Sequence, residues 1–235
     1  MNILLDKILP QVTKPARYTN AELNSIHKDW EKTDIKLALL YPETYEIAMS
    51  GLSVHLFYDL INRRDDALAE RIFCPWTDME GKMREHHIEL FSLESKKTLK
   101  EFDLVFVSLS HELMFTNYLN MLDLAGISLH TAGRRESEPI IIAGGPGVFN
   151  PEPMADFIDC IFIGDGEEAI IEMIALLKKK KGSSRAEKLK ALSDIPGAYV
   201  PVLGKPSKVI RRVLQDLDCI HYPIKPIIPY IEAIH

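Results

Sequence analysis

From residue 34 onward, two kinds of segment alternate along the chain. Short and almost continuous apolar runs have the length and composition of strands that are buried on both faces. The segments between them repeat apolar residues every three or four positions, which predicts amphipathic helices. The apolar runs that predict strands are Asp34–Pro42, Ala69–Trp76, Phe102–Ser110, Ile140–Gly144 and Asp159–Ile163.

The predicted helices follow the strands at short distances. The helix after the second run is expected to begin with Thr77 or Asp78 as its N-cap. A strand followed by a helix and another strand gives parallel pairing with helices on both faces. We therefore predict a doubly wound α/β domain, flavodoxin- or Rossmann-like, with a five-stranded, mainly parallel sheet across residues 34–181. The apolar stripes of the other helices are Tyr45, Met49, Leu52, Leu56 and Leu60; Phe115, Tyr118, Leu119, Leu122 and Ala125, ended by Gly126; and Ala169, Ile170, Met173, Ile174 and Leu177.

The segments on either side of this domain lack the alternation. Residues 1–33 are interpreted as a lead-in with one short helix, and residues 182–235 as a linker or extension. Within the extension, a short helix is predicted over Ser184–Ser193. The last 40 residues carry six prolines, which favour extended or edge-like backbone, with strands expected near Lys208–Leu214 and Ile227–Ile231.

Composition excludes several classes of protein. The 235-residue chain is 46% hydrophobic, enough for a sizeable core, and its net charge of −6 gives no general attraction to nucleic acid or anionic lipid. No apolar run is long enough to span a membrane, and Asp6 and Lys7 interrupt the apolar start, which argues against a signal peptide. The three cysteines are far apart and indicate neither a disulfide framework nor a CxxC metal site. We expect a cytoplasmic protein.

Glycines and hydroxyl side chains cluster where predicted strands end. In open α/β sheets, ligands bind outside the carboxyl ends of the strands. Glycine lets backbone N–H groups approach a ligand closely, and serine hydroxyls bond to amides or phosphate. The alternative is that each cluster only makes its turn compact. The candidate cofactor-binding residues are Ser108, Ser110, Gly144, Gly145, Gly147, Gly164 and Gly166.

The common catalytic and phosphate-binding motifs are missing. The sequence contains no GxxxxGK[ST], GxGxxG, GxSxG or HExxH pattern. His111 follows the third predicted strand and so lies near the edge of the sheet where a ligand is expected, but an ordinary loop histidine is the favoured interpretation. Glu167 and Glu168 begin a predicted helix, where acidic residues suit the N-terminal dipole, so capping is their favoured role.

The stretch AGGPGVFNPEPMADFIDCIFIGDGEEAI (143–170) is similar to the end of the cobalamin-binding-like domain at the N-terminus of many radical S-adenosylmethionine (SAM) enzymes. In that group, a GG-P turn and a G-[DE]-G-E turn line the corrin site. The chain resembles one uncharacterised subgroup of radical SAM proteins even more closely, over nearly its whole length. The segments that carry this resemblance include YPETYEIAMSGLSVHLFYDLIN, ERIFCPWTDME, HELMFTNYLNMLDLAGI and IPGAYVP.

This resemblance implies an accessory domain, not catalytic alone, at the front of a larger enzyme. Its partner would be a downstream radical SAM domain, where a CxxxCxxC motif holds an iron–sulfur cluster and SAM binds. Cobalamin is the implied cofactor of the present chain. No DxHxxG loop occurs, so no histidine of that motif would bind cobalt. Two alternatives stay open: a docking or substrate-recognition module without cobalamin, and a flavodoxin-like protein that binds FMN or a nucleotide.

Overall fold

The protein is built around one mainly parallel sheet. A computed structural model describes residues 2–216, 218, 220 and 222–229. Within these residues, six strands form a sheet with the order β2-β1-β3-β4-β5-β6. Neighbouring strands from β2 to β5 are parallel, and β6 is antiparallel to β5. The strands are β1 (Ile35–Tyr41), β2 (Ala67–Phe73), β3 (Leu104–Ser108), β4 (Ile140–Gly144), β5 (Cys160–Phe162) and β6 (Ala198–Tyr199).

Helices cover both faces of the sheet, because side chains of a strand alternate between its faces. Leu37, Leu39 and Tyr41 of β1 pack with α3, α6 and α7, whereas Ala38 and Leu40 belong to a core shared with α1, α4 and α5. Almost continuous burial along β1 explains its unbroken apolar run. The helices are α1 (Asn2–Ile8), α2 (Tyr45–Met49), α3 (Leu52–Asn62), α4 (Thr77–Glu85), α5 (Met114–Leu124), α6 (Gly166–Lys179) and α7 (Arg185–Leu192).

The prediction of five strands was wrong, since the extension supplies a sixth. Gly197 has a φ of +92°, and a Cβ there would lie 2.8 Å from the Ile163 carbonyl oxygen. This backbone geometry lets the chain turn back against β5, where the Ile163 N–H donates to the Gly197 carbonyl at 2.8 Å. Ala198 and Tyr199 then pair with β5. A two-residue strand that directly follows a glycine is too short to show any period.

The helix predicted after β1 is interrupted, and its buried face differs from the predicted one. Gly51 is extended (φ −84°, ψ 137°) and separates α2 from α3. Val54, Tyr58 and Ile61 form the buried stripe of α3, while Leu52 is 72% exposed. Elsewhere the predictions hold more closely. The stripe of α6 is buried as predicted, and Ser184 caps α7 by accepting from the Glu187 N–H. The predicted N-cap of α4 is displaced by one residue, since Trp76 occupies that position.

Beyond β6, the extension pairs with the end of β5 and with the lead-in through isolated bridges. Where strands were predicted near residues 208–214 and 227–231, the structure has a parallel bridge from Arg212 to Gly164 and an antiparallel bridge from Ile228 to Leu23. Residues 230 and 231 lie outside the described part of the chain. After β6, the extension therefore contacts first the end of β5, at Gly164, and then the lead-in, at Leu23.

Candidate functional site

A cavity of about 290 Å³ opens at the carboxyl ends of the parallel strands. It lies on the face covered by α3 and α6, and the strand order reverses between β1 and β3 at this place. Ligands of open α/β sheets bind at such reversals. The lining residues are Leu39, Tyr41, Ser53, Phe57, Phe106, Val107, Ser108, Ser110, Gly144, Gly145, Pro146, Phe162, Gly164, Asp165, Gly166 and Glu167.

Most of the residues predicted from the sequence come together in this cavity. Its lining includes Ser108, Ser110, Gly144, Gly145, Gly164 and Gly166. Gly147 does not line it. A Cβ at Gly147 would lie 2.9 Å from the Leu109 carbonyl oxygen and 3.0 Å from the His111 nitrogen. Its absent side chain therefore serves the contact between the loops that follow β3 and β4. Whether the lining residues bind a cofactor stays a prediction.

Close backbone packing explains two further glycines. Gly145 has a φ of +108°, and a Cβ there would lie 2.5 Å from the Leu109 carbonyl oxygen. Gly164 has a φ of +134°, and a Cβ there would overlap the Arg212 carbonyl group. Only glycine fits either position without strain. Gly144 differs, because the nearest atom to its Cβ position is a Phe106 ring carbon at 3.9 Å.

Aromatic side chains form the walls of the cavity, and none of them was among the predicted cofactor-binding residues. Tyr41, Phe106 and Phe162 come from the strands, and Phe57 comes from α3. The Phe57 and Phe106 ring centroids are 6.2 Å apart. Burial raises the pKa of Tyr41, against the opposing effect of a hydrogen bond with Ser53. Phe57 directly follows Leu56 of the predicted stripe. Because the buried face of α3 was predicted wrongly, Phe57 was not recognised as a cavity residue.

The charged groups that line the cavity are two carboxylates, Asp165 and Glu167, and no Lys, Arg or His is among the lining residues. Asp165 has partners, since its Oδ2 accepts from the Leu214 N–H at 2.9 Å and Arg211 lies 3.5 Å from its Oδ1. Glu167 is different. Its Oε2 is buried and has no hydrogen-bond partner within the described residues. Helix capping was the favoured role of Glu167, so this residue was not among the predicted cofactor-binding residues.

Part of the extension, residues 208–216, runs along the β5 side of the cavity, and we call it the strap. The Arg212 N–H donates to the Ile163 carbonyl at 3.1 Å, and the Asp165 N–H donates to the Arg212 carbonyl at 3.0 Å. The Arg212 guanidinium also binds Glu168 and Glu172 on α6. The strap therefore fixes the turn that carries Gly164, Asp165 and Gly166 into the cavity.

Large apolar side chains are exposed in the segments that follow the strands at this same edge. One or more of them follows each of β1 to β4, and two flank Arg212 at the end of β5. An exposed apolar surface with polar neighbours is typical of an interaction site. We call this set the apolar rim; it consists of Ile47, Leu52, Trp76, Leu113, Phe149, Ile210 and Val213.

Metal-binding and redox side chains are sparse in the described part of the chain. No group of three or more His, Cys, Asp or Glu residues there is placed to hold a metal ion. Burial raises the pKa of both Cys74 and Cys160 to about 12, so neither thiol is activated. Cys219 lies outside the described residues. His111 is partly exposed, with its Nε2 3.8 Å from Glu43. None of the described helices is both long and apolar enough for a bilayer crossing.

Comparison with known proteins identifies the family. The chain is 25% identical over 189 residues to an uncharacterized protein of Methanocaldococcus jannaschii, a match that covers 80% of this chain and 34% of the relative. The chain thus spans about a third of the length of that curated relative. No solved structure matches the present chain. The family described as radical SAM proteins, N-terminal, matches residues 53–201, more than half of the chain. The chain belongs to this family of radical SAM N-terminal domains.

Proposed function

We propose that this chain is an accessory domain of a larger radical SAM protein and that it binds cobalamin in the cavity at the carboxyl edge of its sheet. The observation that carries the proposal is the cavity itself, to which β1, β3, β4 and β5 all contribute. The order β2-β1-β3-β4-β5 is that of flavodoxin-like doubly wound folds, which bind a cofactor where the order reverses. The iron–sulfur cluster and SAM would belong to the downstream domain.

The lining residues fit one edge of a corrin better than a whole cofactor. Ligand pockets that bury most of a drug-sized molecule measure about 300 to 1,000 Å³. A cavity of about 290 Å³ would therefore take only part of cobalamin and leave the rest facing outward. The aromatic walls suit the apolar ring, while Ser108 and Ser110 suit the amide side chains. No histidine lines the cavity, so it offers cobalt no imidazole ligand.

Tryptophan at Ser110 tests cofactor binding. The Ser110 side chain is exposed at the mouth of the cavity, so a bulky replacement should fill the site without unfolding the domain. Ser137→Trp is the matched control, because Ser137 is exposed in the turn before β4 at the opposite end of the sheet. Both variants and the unchanged protein are titrated with hydroxocobalamin and with FMN, and the absorbance spectrum is followed.

Loss of hydroxocobalamin binding in Ser110→Trp alone supports the proposal. Equal binding by both folded variants places the site elsewhere. If the unchanged protein binds FMN and not hydroxocobalamin, the flavodoxin-like alternative replaces cobalamin. Binding of neither molecule favours the docking alternative.

The apolar rim favours the docking function as a second candidate. Leu113 is 83% exposed and Phe149 is 53% exposed, an unfavourable arrangement for groups that stay in water. We expect Leu113→Asp together with Phe149→Asp to weaken association with the separately produced remainder of the parent protein. Val202→Asp is the control, since Val202 is 65% exposed but follows β6. Equal affinity of the rim variant and the control in a sedimentation or calorimetric titration would refute the docking surface.

A further inference from the structure

One residue that lines the cavity carries an acceptor oxygen that no group of the described protein satisfies. Three neighbouring carboxylates begin α6: Asp165 receives the Leu214 N–H, and Glu168 receives the Arg212 guanidinium. Glu167 lies between them and lines the cavity, with its Oε2 buried and without a hydrogen-bond partner in the described chain. An ionised carboxylate can only accept hydrogen bonds. A buried acceptor of this kind calls for a donor from water or from a ligand.

The same cavity offers an anion no cationic side chain. No lysine, arginine or histidine is among its lining residues. The two arginines of the strap are paired with carboxylates, Arg211 with Asp165 and Arg212 with Glu168 and Glu172. The charge of Asp165 is partly offset by Arg211, so the Glu167 carboxylate is the main source of repulsion toward a phosphate group. Proteins that bind phosphate through a helix N-terminus use the positive end of the dipole. Here Asp165 and Glu167 offset that end of α6 with negative charge.

The walls offer aromatic surface to one face of a flat group. Phe57 and Phe106 contact each other in the lining, with ring centroids 6.2 Å apart and an interplanar angle of 37°, so a flat group would lie against this pair of rings. Tyr41 and Phe162 extend the same apolar lining from β1 and β5. An apolar body with a donor at its edge would use both the rings and Glu167.

We infer that the cavity binds the phosphate-free part of a flat ligand and that Glu167 accepts a hydrogen bond from an amide, amine or hydroxyl of that part. This inference rests on the proposed ligand-binding function and makes it more specific. For cobalamin, the amide-bearing edge of the corrin would enter the cavity, and the phosphate of the nucleotide tail would stay outside. Glu167 is then a ligand-binding residue that selects for donors and against anions.

Three matched pairs of probes, each differing by a phosphate-containing part, test the inference on the full 235-residue chain. They are cobinamide and hydroxocobalamin, riboflavin and FMN, and adenosine and AMP. Binding is measured by calorimetry at low ionic strength, where charge repulsion is screened least. In each pair that binds, we expect the phosphate-free member to bind at least about tenfold more tightly, or about 1.4 kcal/mol.

Variants of two adjacent glutamates separate the role of Glu167 from a general change of charge. Glu167→Gln removes the charge and half of the acceptor capacity, so it should weaken the phosphate-free probe about tenfold. Glu168→Gln makes the same change one residue away on a side chain that is 62% exposed and outside the cavity lining, and it should leave affinity unchanged. Glu167→Lys should reverse the preference within the pair, because an ammonium group would then face the phosphate.

The outcomes distinguish this inference from the proposed function. Tighter binding of the phosphorylated member of any pair, equal affinity of Glu167→Gln and the unchanged protein, or binding of none of the six probes overturns the inference. If riboflavin or adenosine binds through Glu167 while cobinamide and hydroxocobalamin do not, cobalamin fails and the inference stands. If hydroxocobalamin binds more tightly than cobinamide and ignores Glu167→Gln, cobalamin stands and the inference fails.

Discussion

Replacing Gly164 by alanine should detach the strap from the sheet. Gly164 has a φ of +134°, and a Cβ there would overlap the Arg212 carbonyl group, so neither the conformation nor the contact tolerates a side chain. Gly182→Ala is the matched control. Gly182 also has a positive φ, +89°, but its Cβ position has no neighbouring atom within 4 Å. Both variants place a side chain at a positive φ outside the left-handed region, and only Gly164→Ala adds the contact.

The expected magnitudes follow from this difference. Strain at a positive φ accounts for about 1 kcal/mol of unfolding free energy in both variants. Detachment of the strap also removes hydrogen bonds donated by the N–H groups of Arg212, Asp165 and Leu214. At about 1 kcal/mol each, these add about 3 kcal/mol in Gly164→Ala. We therefore expect a loss of about 4 kcal/mol for Gly164→Ala and about 1 kcal/mol for Gly182→Ala.

Urea unfolding measures the free energies, and limited trypsin digestion reports on the strap directly. Arg211 and Arg212 are cleavage sites within the strap, and cleavage there should accelerate in Gly164→Ala but not in Gly182→Ala. If both variants lose the same stability and the strap is cut at the unchanged rate, then contact with Arg212 does not account for the glycine. In that case backbone strain alone explains both positions.

Three further predictions concern stability and chemistry. Arg71→Met should reduce the unfolding free energy by about 3 to 5 kcal/mol, because it leaves two buried carboxylates without the guanidinium that pairs with them. These carboxylates are Glu22 and Glu94, whose side chains are 3% and 1% exposed. A loss below about 1 kcal/mol in urea would contradict this. Burial lowers the pKa of Lys96 to about 8. Between this pKa and the ordinary value of 10.5, the unfolded chain binds more protons at Lys96 than the folded chain does. The contribution of Lys96 to the unfolding free energy therefore rises with pH in this range. Lys96→Met should flatten that rise between pH 8 and 10, and identical slopes would exclude the effect. Finally, the isolated chain reconstituted with iron and sulfide should not cleave SAM reductively, and turnover above a no-protein control would disprove this.

The hydrophobic pattern was sufficient to predict the parallel strands and the edge where their ends meet. Strands buried on both faces are unbroken apolar runs, and parallel strands end at one edge whatever the details of packing. For that reason, residues as distant in the sequence as Ser108, Gly144 and Gly166 could be placed at one cavity before any side-chain position was known. The prediction depended on topology, which the alternation of strands and helices encodes strongly.

What the sequence did not reveal depends on short segments and on rotations about helix axes. β6 has two residues and pairs only because Gly197 allows a tight approach to β5. The buried face of α3 is rotated about the helix axis relative to the predicted stripe of leucines. The place of Phe57 in the cavity lining was therefore not predicted. From its position in the sequence, Glu167 is expected in the first turn of a helix, where an acidic residue needs no ligand to explain it. Glu167 lines the cavity, whereas the strap engages the acidic residues on either side of it, Asp165 and Glu168.

The glycine-rich turns after β4 and β5 have a structural cause that needs no ligand. Gly145 and Gly147 accommodate the loop after β3, and Gly164 accommodates the strap. A protein could keep all three through folding constraints even after losing a cofactor, so their presence does not distinguish a cofactor domain from a docking module. Substituting them would measure packing. Ser110 and Glu167 have no comparable packing role and line the cavity directly, so binding experiments on these two residues carry the decision between the functions.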